Sequence, residues 1–241
     1  MGSRDAATDT GKAYPRVELI PWDPTDEQQF QRLYDQRVAC TWDYGLVAEW
    51  KGKMLRGQKV LYWVVLAGDA PRRDELLGDH VKRFPKERES LVDTATSIGQ
   101  AERTPSKAPF LPIGHIAIEA FPERNVQFSL PATTYWALQS SGLGRSAMAQ
   151  FERIAAAPPF NSTFIALDTF PKAFQLREDC VAAFCDARGV PRSPEIRTTQ
   201  EWYQSQGYHV VGCNEHMYDW VNPKTGESIT APCVFMAKSL V

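Results

Sequence analysis

The stretch Gln139-Ser140-Ser141-Gly142-Leu143-Gly144-Arg145-Ser146 has the make-up of a phosphate site. Gly142 and Gly144 allow a tight turn and leave no Cβ in the way of an approaching ligand. The residues that follow, Ala-Met-Ala-Gln-Phe-Glu-Arg-Ile-Ala-Ala-Ala, favour a helix and set Met148, Phe151 and Ile154 at helical spacing. A glycine turn entering a helix presents unpaired N–H groups at the positive end of the helix dipole, where an anion is stabilised. Gly-x-Gly alone also describes an ordinary junction between a loop and a helix. Away from this stretch, groups able to move a proton are the phenol of Tyr203 and the carboxylates Glu119 and Asp168 at strand ends. Alternation along its strand puts Glu119 on one face with His115 and Ala117.

Gln139-Ser140-Ser141-Gly142-Leu143-Gly144 is similar to the pyrophosphate loop of the GCN5-related N-acetyltransferases, which reads Arg/Gln-x-x-Gly-x-Gly/Ala. A second family signature, an aromatic-Tyr-x-x-x-Gly-aromatic end to a late helix, appears as Trp202-Tyr203-Gln204-Ser205-Gln206-Gly207-Tyr208. The chain resembles that family over roughly Val17 to Leu240, and within it the members common in filamentous fungi. The resemblance implies a mixed α/β sheet, splayed at its centre, and acetyl-CoA as co-substrate. It further implies that Gln139 and the backbone of Ser141, Gly142, Leu143, Gly144 and Arg145 hold the pyrophosphate, with the Ser146 hydroxyl close by. Thr133, Thr134 and Tyr135 would pair with the pantetheine arm, the N–H of Thr134 facing the thioester carbonyl. Tyr203 would protonate the departing thiolate. Many members place a Glu early in the bulged strand, where this chain has Phe128 and its neighbours. The proton of the attacking amine is therefore expected to go to Glu119 through water, or to Asp168.

With 241 residues, 43% apolar and 23% charged, the chain is long enough for one well-buried core carrying insertions. A net charge of −2 gives no electrostatic case for nucleic acid or an anionic membrane as partner. No apolar run approaches the ~20 residues of a membrane span. Residues 1–14 have no hydrophobic stretch and are expected to be a disordered or cloning-derived tail, which leaves 15–241 as a single domain. Five cysteines at irregular spacing, with no Cys-x-x-Cys, point away from zinc and from a disulfide framework. His80, His209 and His216 show no metal spacing either, so no metal is expected. A reduced cytoplasmic enzyme, monomer or homodimer, is the expectation.

The elements that must position these groups follow from periodicity. Val17–Pro21, Lys59–Ala67, Ile113–Phe121, Asn125–Thr134, Thr163–Asp168, Tyr208–Cys213 and Ala231–Lys238 read as strands. Pro131 is admissible in its strand only at a bulge, and a bulge there is what the resemblance implies. Helices are expected from Asp26, as cap, to about Cys40 with Phe30, Leu33, Tyr34 and Val38 on one face, near Leu46–Leu55, and late at Thr199–Gln206. Two insertions remain, 68–112 with helices near Asp74–Phe84 and Lys86–Thr94, and 171–197 with a helix near Arg177–Arg188. The first is expected to cover the acceptor side of the slot. Trp42, Tyr44 and Trp50 could wall the acceptor. The function expected is direct transfer of an acetyl group to a small-molecule amine. Acetylation of a protein lysine or N-terminus, or coenzyme A binding without catalysis, stand as alternatives.

Overall fold

The computed structural model describes residues 16–40, 43–99, 101–121, 126–134, 142–188, 196–222 and 225–241. In chain order the elements are β1 (Val17–Pro21), α1 (Glu27–Cys40), a 3-10 turn (Tyr44–Leu46), α2 (Val47–Leu55), β2 (Lys59–Leu66) and α3 (Arg73–Arg83). The short strands β3 (Leu91–Val92), β4 (Ser97–Ile98), β5 (Ala101–Glu102) and β6 (Pro109–Phe110) lead to β7 (Pro112–Phe121) and β8 (Val126–Thr134). Then come α4 (Leu143–Ala156), β9 (Phe164–Thr169), α5 (Lys172–Gln175), α6 (Glu178–Arg188), α7 (Thr199–Gln204), β10 (His209–Val221) and β11 (Ser228–Ser239).

Seven strands form one sheet in the order β1-β2-β7-β8-β9-β11-β10. Every neighbour pair is antiparallel except β8 and β9. The run Lys-Val-Leu-Tyr-Trp-Val-Val-Leu of β2 is buried at all its positions, as a strand covered on both faces must be. Helix α4 buries Leu143, Ala147, Met148, Phe151 and Ala155, a stripe at helical spacing, and packs against β1 and β8.

Two features open the centre of the sheet. The β7–β8 ladder slips between His115, opposite Thr133, and Ala117, opposite Leu130. Pro131 and Ala132 therefore face the single residue Ile116, a bulge that accommodates the missing N–H of proline. Next, β8 and β9 pair only at Gln127 with Ile165 and Phe128 with Ala166. Past those positions β8 and β9 form no further ladder pair among the described residues.

Where the structure departs from the periodic reading, the cause is a tertiary partner. Helix α1 does run to Cys40 from an Asp26 cap, whose Oδ1 accepts from the Gln29 N–H at 3.0 Å. Its inner face, however, is Gln29, Arg32, Leu33, Gln36 and Arg37, while Tyr34 and Val38 are exposed. The first insertion supplies the partners for that polar stripe: Gln29 donates to the Val92 carbonyl, Arg32 to the carbonyls of Glu87 and Glu89, and Gln36 to the Glu87 carboxylate. The insertion thus docks on α1. Residues 86–94 are not a helix; they hold a 3-10 turn at Pro85–Glu87 and the strand β3. The second insertion contributes Phe174, Cys180 and Ala183 to a satellite core with Phe170 and with Trp220 and Ala231 of the β10–β11 hairpin.

Candidate active site

At the open end of β8 the chain enters α4 through Gly142, whose φ of 81° is left-handed. Glycine adopts that conformation without the penalty a Cβ brings, and the turn lets α4 start at Leu143. Leu143 buries its side chain in the core, whereas Gly144, Arg145 and Ser146 are half-buried in the first helical turn. The Ser146 N–H already bonds the Gly142 carbonyl at 3.2 Å, closing the helix behind the first N–H groups. Those first N–H groups have no intrahelical acceptor, as at any helix start. Thr133 and Thr134 end β8, opposite His115 and Gly114. Tyr135, Gln139 and Ser141 lie outside the described residues.

Tyr203 and Asp168 come together across the other wall. Helix α7 is fixed by a capping box in which the Thr198 hydroxyl accepts from the Glu201 N–H and the Glu201 carboxylate accepts from the Thr198 N–H. That anchors Tyr203, only 4% exposed, between Trp202 and Tyr208, with ring centroids 4.8 and 5.6 Å away. Burial pushes its phenol upward, and the nearby Asp168 charge pushes it further. It is a phenol held in its protonated form.

Asp168 is 7% exposed on β9. Burial raises its carboxyl above the ordinary value, a hydrogen bond donated by the Tyr218 hydroxyl lowers it, and the Asp43 charge raises it, the balance being upward. Asp43 stands between α1 and α2 at a left-handed φ of 53°. Burial raises its carboxyl as well, against the pull of Arg37 and Lys59.

Glu119 is placed differently. It does share a face of β7 with His115, since Glu119 meets α2 and His115 meets α1. Its two oxygens, though, lie 2.6 Å from Lys53 Nζ and 3.0 Å from Lys59 Nζ, and the lysines hold its carboxyl below the usual range in spite of burial. Trp50, a candidate acceptor wall, is buried under the Arg37 guanidinium and the Lys59 ammonium, 5.0 and 4.9 Å from the ring. Tyr44 is exposed and edge-on to Tyr34, and Trp42 is outside the described residues.

Sequence reasoning missed Tyr218, Asp43 and Arg37. For Tyr218 a signal was there, because Met217-Tyr218-Asp219-Trp220-Val221 is as β-prone as the segment assigned to the strand. For Asp43 and Arg37 there was none. Among the described residues no three or more His, Cys, Asp or Glu side chains are placed to hold a metal ion, and no helix is long and apolar enough to cross a membrane.

No family model and no curated protein matches the sequence. Among solved structures the chain is similar to a spermidine/spermine N-acetyltransferase from Vibrio cholerae in complex with manganese ions, at 8% identity and a TM-score of 0.52, over 93% of each chain. A spermidine N-acetyltransferase chimera from Vibrio cholerae and hSSAT gives the same TM-score of 0.52 at 8% identity, over 93% of this chain and 96% of that one. An aminoglycoside 6′-N-acetyltransferase complexed with coenzyme A follows at 15% identity and a TM-score of 0.48, over 93% and 97%. Seven strands in this order, parallel only where they splay, with a left-handed glycine leading from β8 into α4, give the chain the fold of the GCN5-related N-acetyltransferases.

Proposed function

We propose that this chain, as one domain over 15–241, is an acetyl-CoA-dependent N-acetyltransferase acting on a small primary amine. What supports the reading is that the β8–β9 ladder stops after Phe128, that the left-handed Gly142 leads into α4 after β8, and that Asp168, further along β9, lies near Tyr203. The fold shared with structures named as spermidine N-acetyltransferases supports it.

The residues present fit coenzyme A. The left-handed Gly142 allows a close approach to the first N–H groups of α4, and beyond Phe128 the edge of β8 has no β9 partner. Gly142 through Ser146, with Gln139 and Ser141 before them, would hold the pyrophosphate. The backbone of Thr133, Thr134 and Tyr135 would hold the pantetheine arm. When bound, acetyl-CoA supplies an acyl group on a thioester.

The chain's own residues do the rest. An amine enters as an ammonium, with a pKa near 10, and must lose its proton before it can attack. Asp43 and Asp168 draw the cation, and Asp168, its proton affinity raised, accepts the proton. Glu119, held between two lysines, is the poorer acceptor. Tyr203 keeps its proton until a thiolate beside it takes one. The test is release of free thiol from acetyl-CoA in the presence of spermidine, an aminoglycoside, or a lysine peptide. Turnover of the free amines supports the reading; turnover of the peptide alone would move the acceptor to proteins.

A further inference from the structure

Four buried side chains, Glu87, Gln36, His115 and Arg37, and the half-buried Asp43 link the first insertion to the junction between α1 and α2. The Glu87 carboxylate accepts from Gln36 Nε2 at 2.9 Å, and His115 Nδ1 lies 2.9 Å from Gln36 Oε1. His115 Nε2 lies 3.4 Å from Arg37 Nη1, and Arg37 Nη2 lies 3.4 Å from Asp43 Oδ2. The directions of these bonds are forced. Gln36 donates its amide nitrogen to Glu87 and so turns its oxygen, an acceptor only, to His115. His115 must then donate from Nδ1, which leaves Nε2 as the acceptor that a guanidinium requires. Burial, with Arg37 adjacent, keeps the ring neutral. Asp43 needs such support, because a non-glycine residue at φ 53° is strained.

We propose that Glu87 is a positioning residue for the acceptor: through Gln36 and His115 it fixes Arg37, and Arg37 fixes the Asp43 turn beside Asp168. The insertion therefore acts on specificity through α1. His80, whose Nε2 is 3.2 Å from the same Glu87 oxygen, and Arg32, bonded to the Glu87 carbonyl, hold the start of the relay in place.

The inference rests on the acetyltransferase reading for its effect on the acceptor, but the relay itself can be measured without turnover. Nitrogen NMR of the full chain should show His115 as a single tautomer protonated at Nδ1. In Glu87→Ala a second tautomer should appear. The KM for spermidine, the first acceptor probe, should rise about tenfold, with kcat and the Kd of acetyl-CoA held within about twofold. Glu87→Gln, whose amide oxygen can still accept from Gln36, should restore most of the affinity. If Glu87→Ala fails to fold, Gln36→Met interrupts the same relay one step later and should give the same tautomer change and KM rise. A wild-type His115 protonated at Nε2 overturns the relay. An unchanged KM in a variant whose tautomer has changed overturns its link to the acceptor. Wild-type protein that turns over no amine counts against the acetyltransferase reading, while the tautomer still decides the relay.

Discussion

Tyr218 of β10 donates its hydroxyl proton to the carboxylate of Asp168 on β9, joining residues 50 apart in sequence. Phe170, just before the second insertion, packs on the donor: its ring meets Tyr218 edge-on with centroids 5.4 Å apart. Asp168 thus stands between a group that favours its charge, Tyr218, and one that opposes it, Asp43.

In the proposed reaction that balance would set the pH dependence. Asp168 accepts a proton only when ionised, so kcat/KM should fall on the acid side as pH drops through its raised pKa. Tyr218→Phe removes the bond that favours the ion and should move that limb to higher pH. Asp43→Asn removes a like charge and should move it to lower pH. Stability runs the other way. A carboxyl raised by folding favours the folded state most below its unfolded value, and that contribution is lost as pH rises through the folded value. pH–rate profiles of the two variants check the signs, and limbs that coincide with wild type would remove Asp168 as the base.

Tyr203→Phe should keep the packing against Trp202 and Tyr208 and lose only the proton. A drop in kcat of roughly 10²–10³-fold is expected, with acetyl-CoA affinity nearly intact. Steady-state kinetics with calorimetry decide it, and a wild-type kcat would return Tyr203 to the core.

Gly142→Val places a β-branched side chain at φ 81° in front of the α4 N–H groups. The strain is on the order of 1–2 kcal/mol, within what a folded domain tolerates, so the protein should fold and fail to bind coenzyme A. Calorimetry showing wild-type affinity in a folded variant would take the cofactor away from this turn.

Glu119→Gln tests a structural role. Lys59 has a fully buried side chain, and Glu119 is its carboxylate partner. Removing that charge should cost on the order of 2–3 kcal/mol, less than a wholly buried pair because Lys53 and its end of the network reach solvent. Denaturant melts at neutral pH measure the loss, and the acid limb of kcat/KM should stay in place. A limb that moves would restore Glu119 as a proton acceptor.

Much of the scaffold was legible because its strands are dense apolar runs. β1, β2 and β7 begin and end within a residue or so of their sequence boundaries, and Pro131 correctly marked the bulge. The face of α1 was not legible. Periodicity counts apolar residues, and this helix buries glutamines and arginines whose partners lie about 50 to 65 residues away in an insertion. The same limit hid Asp43, whose charge bears on Asp168 of a distant strand, while the strand carrying Tyr218 was legible but not its bond to Asp168. Glu119 was visible as a strand-end carboxylate, but its two lysines come from α2 and β2 and reach it only in the folded sheet.

The most direct test is a thiol-release assay with acetyl-CoA and spermidine, comparing wild type with Asp168→Asn. Catalysis at the opening between β8 and β9 requires steady release by the wild type and a kcat at least about 10²-fold lower in the variant, with coenzyme A binding kept. Wild-type protein that binds acetyl-CoA yet releases no thiol with spermidine, aminoglycoside or peptide would contradict it, and would leave a coenzyme-A-binding domain without catalysis.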